Sequence, residues 1–363
     1  MSTSDFDQFR PPEPRRKGRN FGRIRRPKRR QRTDGSAEMM MVPEVEFTSY
    51  YGRAIVKPPP WGDLIASYLF LGGVAGGSGL LAFGAQLTGR KLLCRNARLG
   101  AIAAVSIGGA ALVADLGRPD RFYNMLRTIK PTSPMSIGSW ILTAYSGGMG
   151  VAAVSEIDRL TRNRLPLGPF RGLLSFAEPV GGAVAAAFGP PLAAYTAVLL
   201  SDTANPTWNA AHRDLPFVFV SSASLAASGL AMVTTPTRET RPARVLAVIG
   251  VAGDLIGTRW MERRMDPVAA EPLHQGRPGT LLRWSERLAA AGGFGALLLG
   301  GHRLPAALAG IALLGASACT RFGILEAGIN SAKDPRYTIE PQRRRLEERR
   351  AAGITDDSIT TVG

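Results

Sequence analysis

The chain has 363 residues, of which 45% are hydrophobic, and a formal net charge of +17. Its two cysteines, Cys94 and Cys319, exclude a disulfide framework and offer no cluster-ligand spacing, and its three histidines are too few for a two-haem arrangement. The 42 glycines suit close-packed membrane helices better than a soluble core.

Residues 1–43 form a polar, Arg- and Pro-rich tail expected to be disordered; Arg10 to Arg32 hold twelve Lys/Arg against one Glu. The run Arg25-Arg-Pro-Lys-Arg-Arg30 is read as a solvated tail lying against anionic lipid headgroups, with no nucleic-acid partner, and it is not a signal peptide. Residues 44–63 make an extended approach in which Lys57-Pro-Pro-Pro-Trp61 places Trp61 where an interfacial aromatic belongs.

Leu64 to Leu87 contains no Lys, Arg, Asp or Glu, long enough at 1.5 Å per residue to cross a hydrocarbon core of about 30 Å. Its glycines resemble a dinucleotide loop, but both flanks are apolar, so no strand precedes and no solvated helix start follows. They pair instead at four-residue spacing, Gly72 with Gly76 and Gly73 with Gly77, which lays a groove for a neighbouring helix.

Further spans are expected at Leu99–Leu116, from the segment Ser133 to Trp140 to Glu156, and at Phe176–Leu200, where Pro179 and Pro190-Pro191 should kink or break the helix. Pro216–Val233, Ala243–Trp260, Leu288–Gly301 and Leu304–Leu325 complete about eight, the last two joined by a tight turn at His302-Arg303. The predicted class is an all-α integral membrane protein with two four-helix bundles, 64–202 and 214–326, and a polar tail over 327–363. An even count puts both tails on one side. Loops on both sides are basic, so charge alone does not orient the chain.

Ionisable groups at membrane depth are costly and point to function or partners. Asp115 closes the second span and heads Asp-Leu-Gly-Arg-Pro, where Arg118 is one turn on and can bond it. Asp202 closes the fourth span and Asp254 lies mid-sixth, with function and structural hydrogen bonding equally open for Asp254. Glu156, Glu178 and Glu326 read as interfacial charges solvated by headgroups, and Arg321 as a partner for Glu326. Tyr68 and Tyr195, taken singly, read as core residues whose hydroxyls need partners. His212 and His302 fall at span edges and His274 in a polar loop, so no haem and no iron–sulfur cluster is expected in this chain.

The order of motifs resembles the NrfD/PsrC family, integral-membrane subunits of polysulfide- and nitrite-reductase-type complexes, over about Tyr50 to Gln342. The resemblance is carried by Tyr68 with Gly72-Gly-Val-Ala-Gly-Gly77, by Asp115-Leu-Gly-Arg-Pro-Asp-Arg-Phe122, and by Pro131-Thr-Ser-Pro-Met-Ser-Ile-Gly-Ser-Trp140. Tyr195-Thr-Ala-Val-Leu-Leu200 and Asn205-Pro-Thr-Trp208 add to it. It implies an eight-helix subunit of the cell membrane that exchanges electrons between a menaquinone- or ubiquinone-type quinone and a ferredoxin-like iron–sulfur partner. That partner would serve a molybdopterin-type catalytic subunit, with formate dehydrogenase-like, sulfur and nitrite chemistry all open. The resemblance assigns the quinone site to Tyr68 and Tyr195, beside Trp61, where some relatives have histidine in place of Tyr68. Proton transfer then falls to Asp115, Asp202 and Asp254, and the structural motif to Arg118, Pro119, Ser136 and Trp140. The residues also admit a transporter or channel, for which Pro190-Pro191 and Asp254 are the usual marks, or a passive membrane anchor that binds no quinone.

Overall fold

The computed structural model describes residues 54–353. The expected disordered tail (1–43), the first part of the approach segment and residues 354–363 lie outside the described residues. Within them the chain is helical, with no strand. The helices are α1 (Asp63–Leu87), α2 (Lys91–Asp115), α3 (Pro134–Leu160), α4 (Phe170–Ser201), α5 (Pro206–Ala210) and α6 (Leu215–Thr234). They continue with α7 (Arg241–Arg264), α8 (Pro267–His274), α9 (Gly276–Leu298), α10 (Arg303–Lys333) and α11 (Arg336–Ala351), and a 3-10 helix (Pro119–Leu126) joins α2 to α3.

Six helices, α1 to α4, α6 and α10, are long and apolar enough to cross a membrane. α7 and α9, with 24 and 23 residues, match them in length but carry more charge, including Arg259, Glu262, Glu286 and Arg287. Phe170, Phe176, Phe217, Phe294 and Leu304 all lie exposed, an outward apolar surface that water would not tolerate and lipid requires. The expected all-α integral membrane architecture is the one found.

Short connections make successive long helices antiparallel. The starts of α1, α3, α6 and α9 therefore share one face with the ends of α2, α4, α7 and α10. We call this the proximal face and the opposite one the distal face. α1 packs on α2, α4 and α6; α3 on α4; α6 on α7 and α10; and α9 on α10. α1 and α6 thus lie at the joint between α2 to α4 and α7 to α10.

Three predicted starts were too late. α2 begins at Lys91 rather than Leu99, α4 at Phe170 rather than Phe176, and α9 at Gly276 rather than Leu288. In each, charged residues that hydropathy trims away continue the helix. The three prolines expected to kink or break α4 lie inside a helix assigned without interruption from Phe170 to Ser201. A membrane helix tolerates the lost donors when neighbouring helices hold it.

The glycines of α1 divide the work. A methyl group on Gly76 would sit 2.5 Å from the Gly189 carbonyl oxygen, so α1 and α4 touch backbone to backbone there. Gly77 meets Ala227 and the Ala223 carbonyl of α6, and Gly73 meets Ala223 as well. Gly72 does not belong to that groove: it is buried, yet a methyl on it would meet nothing within 4 Å. The expected Gly72–Gly76 packing pair is therefore a contact at one end and open space at the other.

Trp208, on the short α5, has no exposed surface and donates its indole N–H to the Ile324 carbonyl at 2.8 Å. Its ring lies directly on Gly328 of α10, where any side chain would overlap it. Gly328→Ala is expected to destabilise the protein by roughly 1–3 kcal/mol through overpacking. The check is the melting temperature of purified protein, and an unchanged value would mean that Trp208 is not seated there.

Candidate functional site

Three polar groups lie within the helices, two towards the proximal face and one at the distal face. The first gathers the tyrosines. Tyr68 is five residues into α1 and Tyr195 six from the end of α4, so both lie about 8–9 Å below the proximal end of their helices. Both pack on one apolar cluster with Trp61, Leu69, Leu200 and Trp208. Trp61 stacks on Trp208 with ring centroids 5.7 Å apart. Tyr195 lies against Gly138 of α3, and the Tyr68 ring leans towards Gly108 of α2. α1 to α4 therefore all contribute to this end.

Tyr68 is 4% exposed and its hydroxyl has no hydrogen-bond partner among the described residues. Leaving such a group dry costs roughly 1–3 kcal/mol, so the hydroxyl calls for a partner beyond those residues. Gly72 lies one turn further on the same helix face and borders open space. Thr196 Oγ1 and Asn205 Nδ2 are likewise buried without partners at this end. This end thus holds a phenol without a partner among the described residues and, one helical turn further along α1, open space at Gly72.

The other predicted residues of this face are placed as follows. Asp115 is half-buried at the end of α2, one turn beyond Leu112, which packs on the tyrosine cluster. Asp115 does not bond Arg118, contrary to expectation: the two differ by one turn in sequence, but the helix stops at Asp115 and the chain is extended at Leu116. Arg118 caps the 3-10 helix that Pro119 opens. Asp202 caps α4 and is exposed. Ser136 accepts the Lys130 N–H and donates to the Thr128 carbonyl, both at 3.0 Å, and the Trp140 indole reaches the same carbonyl at 3.4 Å. These two side chains hold the loop before α3 rather than facing the tyrosines.

The second group is deeper, between α7, α9 and α10. Asp254 is 4% exposed, its Oδ1 has no partner, and it interacts electrostatically with the fully buried Arg321. Arg321 does not pair with Glu326. Its Nη2 donates to the Phe219 carbonyl at 2.6 Å and its guanidinium covers the Phe219 ring at 3.8 Å. Glu326 meets Arg277 instead, at 3.4 Å. A helix places residues five apart on different faces, and Arg321 follows the inward one. A cavity of about 140 Å³ connects Asp254, Thr320 and Ser285 with Glu262, Glu286 and His274 towards the proximal end.

The third group was missed as a constellation. Arg98, 1% exposed, lies seven residues, about 10 Å, into α2 from the distal face. Its Nη1 donates to Glu156 at 2.8 Å and to Glu178 at 2.5 Å, and its Nη2 to Gln86 at 2.6 Å. Glu178 also accepts from Ser155 at 2.7 Å and pairs with Arg159. Glu156 and Glu178 are thus bridged by arginine, not solvated by headgroups as expected. The available signal was weak, because Arg98 directly precedes the predicted span start at Leu99 and reads as one of several loop charges. These groups border a second cavity of about 530 Å³. Neither cavity is lined by Tyr68 or Tyr195. Among the described residues, no group of three or more His, Cys, Asp or Glu could hold a metal ion.

Six apolar spanning helices, buried charge held by partners and an outward apolar surface define a multi-pass integral membrane protein. The family model for polysulphide reductase NrfD matches residues 54–250, more than half of the chain. The chain belongs to the NrfD family of membrane proteins. No curated protein matches it.

Proposed function

We propose that this chain is the quinone-reacting membrane subunit of an oxidoreductase complex in the cell membrane. The observation that carries the reading is the buried Tyr68 hydroxyl, which has no partner among the described residues, with open space at Gly72 one helical turn further along α1. Tyr68 and Tyr195 would hold the quinone oxygens, with Trp61 and Gly72 as walls. When bound, the quinone takes up or releases two electrons and two protons. Tyr68, too deep to meet water, orients the ring. Tyr195, less buried, would hold the other oxygen, and the carboxylates of Asp115 and Asp202, at the proximal ends of α2 and α4, would exchange protons with water. Asp254 and the cavity leading from it to Glu262 and His274 would supply a separate proton route in the second half of the molecule.

The electrons need a relay close to the tyrosines, which favours a ferredoxin-like iron–sulfur subunit seated on the proximal face. That subunit would connect to a molybdopterin-type catalytic subunit, whose substrate defines the complex. Tyr68→Phe and Tyr195→Phe test the reading in the purified complex. Each is expected to lower quinone-linked turnover about fivefold, the equivalent of one lost hydrogen bond, while turnover with an artificial electron acceptor stays unchanged. Full quinone-linked turnover in both variants would leave the chain as a passive anchor. Solute uptake by the chain alone would favour a transporter instead.

A further inference from the structure

The distal cavity carries more positive charge than its own carboxylates neutralise. It is lined by five cationic residues, Arg90, Lys91, Arg95, Arg98 and Arg159, against two carboxylates, leaving three positive charges in excess. The carboxylates are already engaged by Arg98 and Arg159. Arg95 bonds only its neighbour Asn96, at 3.3 Å. The Nε atoms of Arg90 and Arg98 are buried without a partner among the described residues. Neither Arg90 nor Lys91 makes a side-chain hydrogen bond or ion pair among the described residues. The start of α2 is not the binding element, because Glu239 already accepts its Leu92 and Leu93 N–H groups at 2.9 Å each.

We propose that this cavity is a binding site for a phosphate-bearing anion, presented by the headgroup of an anionic phospholipid. The chemistry follows from the donors. Arginine forks match phosphate oxygens, and unpaired buried guanidinium nitrogens need an acceptor that the chain does not provide. The location follows from the fold, since the cavity sits between the ends of α1 and α3 and the starts of α2 and α4. There a lipid can place its headgroup among the cations and its tails along the exposed Leu87 and Leu160. Basic pockets between membrane helices hold acidic headgroups in this way. At 530 Å³ the cavity has room for such a group.

The test uses the full chain, delipidated in neutral detergent, and compares wild type with Arg90→Gln/Lys91→Gln by native mass spectrometry and melting temperature. Phosphatidylglycerol, phosphatidylcholine and inorganic phosphate are added separately. Wild type is expected to retain phosphatidylglycerol about tenfold better than phosphatidylcholine, and the double variant to lose that preference. The two proteins should melt alike in phosphatidylcholine, because both substituted side chains are unpartnered and partly exposed. Equal retention of both lipids by wild type, or an undiminished preference in the variant, overturns the proposal. Stabilisation by inorganic phosphate with no lipid preference overturns the headgroup as the source.

Discussion

Gly72→Leu is expected to cut quinone-linked turnover by about tenfold or more while the protein keeps its fold. Gly72 is buried but a methyl there meets nothing within 4 Å, so the first carbon of a larger side chain enters open space. If that space is where a quinone ring lies, an overlap worth roughly 1–3 kcal/mol raises its dissociation constant about fivefold to 150-fold. Gly76→Ala is the control, because its methyl would strike the Gly189 carbonyl at 2.5 Å and force α1 away from α4. That variant should lower the melting temperature, whereas Gly72→Leu should not. The measurements are turnover with a soluble quinol analogue, turnover with an artificial acceptor, and thermal unfolding. Wild-type quinone kinetics in a well-folded Gly72→Leu protein would remove Gly72 from the site.

The second large effect is at the distal face. Arg98→Met is expected to destabilise the protein by up to about 3 kcal/mol, since it leaves the buried Glu156 and the half-buried Glu178 with the half-exposed Arg159 as their remaining counter-charge. The pair by itself is not a strong stabiliser, because desolvating the three charges offsets most of their attraction. A triple variant that also carries Glu156→Gln and Glu178→Gln should therefore recover much of the loss. Thermal unfolding of the three proteins side by side decides it. A single variant that melts like wild type would mean that water or headgroups reach the carboxylates after all.

The two sites differ in how well they could be read in advance. Tyr68, Tyr195 and Asp115 could be picked out because a polar residue in an apolar run is conspicuous, and because they stand in the motifs by which the sequence resembles the NrfD family. The role of Gly72 could not. Spacing made it equivalent to Gly76, and only the positions of α2, α4 and α6 show that one packs and the other borders a gap. Arg98, Glu156 and Glu178 were each visible as charges near helix ends, where solvation by headgroups is the ordinary outcome. Their convergence depends on three helices meeting at one depth. Arg321 and Glu326 show the converse, a pairing that sequence proximity suggests and helix geometry forbids.

By itself the sequence determined the helical class, an integral membrane chain and the family, while six helices rather than the expected eight are long and apolar enough to cross a membrane. Those depend on hydropathy, on helix rise and on residues that are neighbours in the chain, all of which are local. Tertiary structure alone decided which glycines are contacts and which are space, which charges are partnered, and that Trp208 sits on Gly328. The reason is physical: packing and ion pairing act between side chains of different helices, and their relative rotation and depth are set only when the whole bundle is assembled.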